Sequence, residues 1–370
     1  MRILGFGTYD VAQHPRVGVL FDGLRSHADE VAEINEPLQM STADRVLILH
    51  RPWLAYRLAI RLLTRWSALV RRARRLDRSI PLDAVIVGYM GQFDVVLARL
   101  LFRRTTVVLD LLVFGSDTAT DRRARSQVVV RLLDLLDRAA VSRADLVLVD
   151  TEEQLQFVAP GQRHKALPIP VGAANLWFCA RPAVDAEGGR SPLRVVFFGL
   201  FTPLQGTPVI GEAIALLSDQ PGIQFTLVGR GQDFAATRAA AAGNQGVQWL
   251  DWVDPGDLPA LVAGHHVCLG IFGTTAKAQR VVPTKVYQGA AAGCAIVTSD
   301  TPPQRRAIGD NAVLVPAGDA RRLADALRQL AEDRARLSTQ RARATAWSRS
   351  YAPAAIVAPL RDRLLESRPR

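Results

Sequence analysis

The sequence predicts an α/β protein of two doubly wound, Rossmann-like domains facing each other across a cleft. Three observations lead there. Short apolar runs alternate with longer amphipathic segments, the grammar of strands and covering helices around a parallel sheet. The alternation occurs in two sets, separated by a stretch rich in Gly, Pro and Ala. A chain of 370 residues with an ordinary apolar fraction is also too long for one typical core, so about two domains are expected. The division expected is 1–170, a linker over 171–193, a second domain over 194–343 and a closing helical segment over 344–370.

In the first set the expected strands are Arg2 to Phe6, Glu30 to Asn35, Arg45 to His50, Ala84 to Val87, Thr106 to Leu109, Leu146 to Val149 and Ala166 to Ile169. Ligands of such domains bind at the C-terminal ends of the strands, so the residues that follow each strand are the candidates. Gly5 and Gly7 permit close approach of backbone to a ligand, although Asp10 breaks a full dinucleotide fingerprint. His14 is a candidate for a sugar hydroxyl, and Arg16, at a helix start, for a phosphate or carboxylate; a capped, solvated loop is the other reading. Gln92, in the Gly88 to Gln92 turn, and Asp110 and Asp117, in the run DLLVFGSDT, are candidates for orienting hydroxyls. For the two acids the alternative is strand termination by Asp110 and helix capping by Asp117. Asp150-Thr151 reads as another helix start.

Arg51 to Arg78 carries nine Arg and one Asp among leucines, tryptophans and a tyrosine. Arg57, Arg61 and Arg65 recur every four residues, so they share one helical face. Such a helix reads either as cover for its own sheet with a solvated basic face or as a peripheral contact with a lipid surface. Nucleic-acid binding is the third option, but no recognised module accompanies it.

In the second set the expected strands are Arg194 to Phe198, Gln224 to Val228, Val247 to Leu250, His266 to Ile271, Ala295 to Thr298 and Ala312 to Val315. The stretch Lys277 to Gly293, KAQRVVPTKVYQGAAAG, stands out. Lys277, Arg280 and Lys285 bracket a Pro283-Thr284 helix start, and a helix N-terminus adds unpaired N–H groups to those full charges. That combination makes an anion site suited to a diphosphate. A surface helix with solvated basic residues is the plainer alternative. Arg230, in the Gly229 to Gln232 loop, is a further phosphate candidate, with a surface turn as its alternative, and His265-His266 read as surface or core edge.

Composition narrows the classes. Three widely spaced cysteines, Cys179, Cys268 and Cys294, suggest neither a disulfide framework nor a zinc site, and point to a reduced, cytoplasmic setting. No signal-peptide pattern and no charge-free apolar run of membrane-spanning length are expected. A formal charge of +11 calls for an anionic partner: nucleic acid, a membrane surface or a phosphorylated small molecule.

Several blocks resemble the group-one glycosyltransferase family. They are Phe198-Gly199 with Pro203 to Gly206, Leu227 to Gly231, Lys285 to Gln288 with Ala291 to Gly293, Thr298 to Pro302, and Val313 to Asp319. The resemblance implies the GT-B fold, with a nucleotide diphosphate sugar in the C-terminal domain and the acceptor in the N-terminal one. It implies a retaining transferase, probed at the donor side through Gly7, Gly199, Arg230, Thr284 and Gln288, and a terminal helix, containing Trp347 and Tyr351, that returns to the first domain. The family's Arg and Lys after the first strand of that domain are replaced by Leu200 and Gln205. Its two glutamates seven residues apart are replaced by Arg280 and Gln288. Lys277, Arg280 and Lys285 are therefore the residues left to clamp the diphosphate and stabilise the leaving group, and Gln288 keeps an amide oxygen for a ribose hydroxyl. No Asp-x-Asp occurs, so no metal and no cofactor beyond the donor substrate are expected. A non-catalytic nucleotide-sugar-binding or regulatory protein, and a GT-B sugar-nucleotide epimerase, remain the alternatives, with no nucleic acid as partner.

Overall fold

The computed structural model describes residues 1–11, 14–39, 55–77, 80–121, 126–180 and 191–366. The expected strand Arg45 to His50 lies outside them, as do the first residues and the last of the Arg51 to Arg78 stretch. The chain divides into two compact units, Met1–Pro170 with Pro353–Arg370, and Val171–Ala352.

The first unit is built on a parallel sheet of order β2-β1-β3-β4-β5-β6. Its strands are β1 (Arg2–Gly7), β2 (Glu30–Asn35), β3 (Ala84–Val87), β4 (Thr106–Asp110), β5 (Leu146–Val149) and β6 (Ala166–Pro168). The central strands read as unbroken Val, Ile and Leu because both faces are covered. On one face Val85, Val87, Val107, Leu109, Val147 and Val149 pack beneath the helices Ala55–Arg74, Asp94–Leu101 and Gln127–Arg143. The other face receives the Arg16–Ser26 helix, which buries Val17, Leu20, Phe21 and Leu24.

The second unit repeats the plan with order β12-β11-β10-β7-β8-β9. Its strands are β7 (Leu193–Phe198), β8 (Ile223–Val228), β9 (Val247–Leu250), β10 (Val267–Leu269), β11 (Ala295–Ser299) and β12 (Val313–Val315). β10 stops at Leu269, short of the expected Ile271. A Cβ at Gly270 would stand 2.1 Å from Thr298 Oγ1, so the chain leaves the strand where β11 crowds it.

Two expectations about the joins change. The 171–193 segment contains a helix, Asn175–Cys179, whose Trp177 is buried and stacks on Phe198 at 5.5 Å. The closing segment returns to the first unit only from Pro353. Trp347 and Tyr351 stay with the second unit. They pack on Tyr287 with ring centroids 5.4 and 5.0 Å away, and both donate to Ala307 O. Beyond them, Asp29 receives the Met1 ammonium at 2.8 Å and Arg361 Nε at 2.7 Å. That cluster fastens the chain's end to its beginning.

Candidate functional site

The C-terminal ends of the second unit's strands carry the site. β7 ends at Phe198, and Gly199 turns the chain at φ 134°, a conformation that side chains disfavour. Backbone bonds from Gly199 N to Val228 O and from Phe201 N to Arg230 O, both 3.0 Å, tie this turn to the one after β8.

Facing Gly199 is the Thr284–Ala291 helix. Pro283 takes the capping position just outside it, extended at ψ 144°, and Val286 N closes the first turn onto Pro283 O. Only Thr284 of this helix is half-buried; the rest is buried, Gln288 included. Lys285 is 5% exposed, yet its ammonium reaches the glycine turn: a Cβ at Gly199 would stand 3.2 Å from Lys285 Nζ. Nζ donates to Gln205 Oε1 at 2.5 Å and lies 3.7 Å from the Phe197 ring centroid. Among the described residues no carboxylate is within ion-pairing distance of it. Burial pushes this amine down to about 7, while the neighbouring Cys268 thiol, pushed up to about 12 by its own burial, stays neutral. The neighbours of Lys285 Nζ are thus an amide oxygen and an aromatic face, and neither carries a full negative charge.

Lys277 caps the Ala278–Arg280 turn and Arg280 ends it; both are half-buried. The turn is anchored because Ala278 and Val281 pack with Ile271 and Leu204, joining it to the loop that carries Gln205. Gln288 follows Lys285 by three residues, so the two share a helix face. Arg230 is otherwise engaged. It pairs with Asp251 at 2.7 Å, both more than half exposed, and lies 4.0 Å from the Phe234 ring centroid.

Sequence reasoning missed a polar knot at the end of β11. Thr298 Oγ1 donates to Gln304 Oε1 at 2.5 Å, and Gln304 Nε2 donates to Ser299 Oγ at 2.9 Å, all of them fully buried. Thr298 and Ser299 belong to a block singled out for resemblance; Gln304 carried no signal. His265 and His266, expected at the surface or core edge, are buried. His266 Nδ1 accepts from Arg194 N at 3.0 Å, so this ring is neutral, and burial pushes its pKa down to about 4. Among the described residues no group of three or more His, Cys, Asp or Glu could hold a metal ion.

In the first unit the candidates turn largely inward. Arg16 and Asp110, expected to meet a ligand, form an ion pair instead, Nε to Oδ1 at 2.7 Å, with each side chain at most 1% exposed. Arg16 also donates to Ile169 O at 2.9 Å. Gln92, expected in an acceptor pocket, is buried and donates to Val113 O and to Asp137 Oδ1. Asp137, which sequence reasoning passed over, also accepts from Gly115 N and Ser116 N and so caps the Gly115–Asp121 helix from a neighbouring one. Asp117 is half-buried in the first turn of that helix. His14 stacks on Tyr89 at 3.8 Å. Gly7, a donor-side candidate, faces Asp94, whose Oδ2 would stand 3.0 Å from a Cβ there. Asp94 in turn accepts from Thr8 N, Thr8 Oγ1 and Trp66 Nε1 at 2.7 to 2.8 Å.

Residues 192–333 match the family model described as "Glycosyl transferases group 1". Solved structures match nearly the whole chain. Sucrose-phosphate synthase from Thermosynechococcus elongatus is 16% identical, with 99% of both chains covered and a TM-score of 0.71. HepE of Anabaena, in complex with UDP-glucose, is 16% identical over 99% of both chains, at 0.68. The N-terminal domain of Candida albicans trehalose-6-phosphate phosphatase is 10% identical over 99% and 96%, at 0.66. No curated protein matches the sequence. The two six-stranded parallel sheets are those of the GT-B fold.

Proposed function

We propose that this chain, a glycosyltransferase of group 1, moves a sugar from a nucleotide diphosphate sugar to an acceptor hydroxyl, with retention of configuration and without a metal. The observation that carries the reading is Lys285: a buried ammonium beside the glycine turn, with an amide rather than a carboxylate as its oxygen partner. In transfer, the bond from the anomeric carbon to the diphosphate breaks as the bond to the acceptor oxygen forms. Negative charge builds on the diphosphate, and preorganised cations lower the barrier by meeting it. Lys285 is the central cation, supported by Lys277, Arg280 and the N–H groups at Thr284, with Gln288 on the ribose. The departing phosphate oxygen takes the acceptor's proton, so no protein carboxylate pair is required.

The replacement of the family lysine by Gln205 supports a rearranged clamp. Gln205 Oε1 receives Lys285 Nζ, so a cation from the helix comes to the place the loop cation vacates. HepE, a structural neighbour, is described with UDP-glucose, which makes uridine nucleotides the first probes. We assign the acceptor to the first unit, near His14 and Asp117, and the protein to the cytoplasm, with peripheral contact through Arg51 to Arg78 at the inner membrane face. Among the described residues no helix is long and apolar enough to cross a membrane.

A panel of nucleotide sugars tested by calorimetry and by product formation decides the reading. Transfer or slow donor hydrolysis that falls with Lys285→Met supports it. Binding without turnover over many acceptors favours a non-catalytic binder, and interconversion of the donor sugar favours an epimerase. Full binding and turnover in Lys285→Met would remove the clamp assignment.

A further inference from the structure

β10 ends at Leu269, yet the chain beyond it stays fastened to β11. Ser299 N donates to Ile271 O at 3.0 Å, and Ile271 N donates to Thr298 Oγ1 at 3.3 Å, so a side-chain hydroxyl takes the place of a backbone carbonyl where the ladder stops. That exchange works only if the hydroxyl turns a lone pair toward Ile271. Gln304 turns it. Its Oε1 accepts the Thr298 hydroxyl proton, while its Nε2 donates to Ser299 Oγ at 2.9 Å and to Thr301 Oγ1 at 3.3 Å. All four side chains are 0% exposed.

Residues Ile271 to Gly273 in turn carry the loop that presents Gln205. Phe272 N donates to Gln205 O at 2.9 Å. A Cβ at Gly206 would stand 2.3 Å from Gly273 N, and one at Gly273 would stand 2.5 Å from Leu204 O, so the two backbones lie flush. Leu204 packs against Ile271, Ala278 and Val281. From this seat the Gln205 side chain meets Lys285 Nζ through its Oε1. A second route reaches the same lysine along its own helix: a Cβ at Gly270 would crowd Thr298 at 2.1 Å and Val286, the residue after Lys285, at 3.3 Å.

Four buried polar side chains are a costly way to fasten a strand end that apolar packing could fasten. What they add is definition, because an amide and three hydroxyls satisfy one another only at particular distances and angles. We propose that Gln304 is a positioning residue for the donor. Through Thr298 it sets the 270–273 backbone, through that backbone it seats the Gln205 loop, and so it aims the Lys285 ammonium. The proposal rests on the reading of Lys285 as the diphosphate clamp. Gln304 itself is wholly buried and acts only through these neighbours.

The test is a double-mutant cycle on the full chain, read by UDP calorimetry. Gln304→Met keeps the length of the side chain and removes its amide, and it should weaken UDP binding about tenfold in the parent background. Added to Lys285→Met it should cost less than about twofold more, because the cation it aims is gone. Thr298→Val, of nearly the same volume, should reproduce the loss, whereas Thr298→Ser keeps the hydroxyl and should stay within about twofold of the parent. Equal losses with and without Lys285 overturn the proposal, since a general loosening of the second unit would act in both backgrounds alike. Parent affinity in both Gln304→Met and Thr298→Val overturns it as well. Should Gln304→Met fail to fold, Thr298→Val carries the same cycle. Full UDP affinity in Lys285→Met alone would instead remove the clamp reading, and the proposal with it.

Discussion

Both units turn their first strand with a glycine at positive φ, Gly7 at 144° and Gly199 at 134°, and both place a charged side chain against that turn. The charges are opposite, and so is their state of satisfaction. Asp94 beside Gly7 has both oxygens in hydrogen bonds, to Thr8 and to Trp66. Arg16, at the start of its helix, and Asp110, at the end of β4, hold each other through Nε and Oδ1, while Arg16 Nη2 and Asp110 Oδ2 find no partner among the described residues. Lys285 beside Gly199 has a neutral amide and an aromatic ring. The same backbone device thus faces an acid satisfied by the protein in one unit and a cation without a carboxylate partner among the described residues in the other. Burial costs a charge its hydration in either place; what differs is whether the protein or a ligand restores it.

Four measurements can break this contrast. The largest effect is expected at the pinned charges. Arg16→Ala leaves Asp110 buried without its cation and should lower the stability of the first unit by about 3–5 kcal/mol in chemical denaturation, with UDP affinity unaltered in the folded protein. A fall in UDP affinity instead would make Arg16 a ligand residue after all. Next, Lys285→Met should weaken UDP binding about a hundredfold, roughly 2.7 kcal/mol, without lowering thermal stability, because it removes a buried amine that lacks a carboxylate. A destabilised protein with intact affinity would make Lys285 the pin.

The third is a pH profile. Lys285 in the empty site is pushed by burial below its ordinary value of 10.5, to about 7. Its folded value is thus below its unfolded one, so its contribution to stability is full above 10.5 and is lost as pH falls toward 7. Diphosphate binding has the opposite demand, since it needs the proton. UDP affinity should fall as pH rises above 7, by up to about tenfold per unit, and Lys285→Arg should flatten the slope. A parent profile that is flat between pH 7 and 9 would remove protonation from the clamp. The smallest effect is expected at Arg230. Its exposed pair with Asp251 is worth at most about 1 kcal/mol, so Arg230→Ala should leave stability and UDP affinity nearly unchanged; a large loss of affinity would restore it to the donor site.

Much of the scaffold was readable in the residues. Apolar runs flanked by glycine marked β1, β7 and β8, and Pro283-Thr284 marked the start of the helix that carries Lys285, because these are local properties of the backbone and of burial. The partners of charged side chains were not readable. Arg16 and Asp110 are 94 residues apart, and Arg230 and Asp251 are 21 apart, so both looked available. Asp137 had a faint mark, an acid three and four residues before buried Ala140 and Val141, hence on the buried face. Trp347 and Tyr351 looked like part of the returning helix, and only their stacking on Tyr287 assigns them to the second unit.

By itself, then, the sequence determined the alternation of strands and helices, the two-unit plan, and the small set of cations from which we propose a diphosphate clamp. The tertiary structure decided which cation is buried beside the glycine turn with no carboxylate against it among the described residues. Lys285 becomes so because folding removes its water and brings Gly199, Gln205 and Phe197 to it from distant parts of the chain, and none of them carries a negative charge.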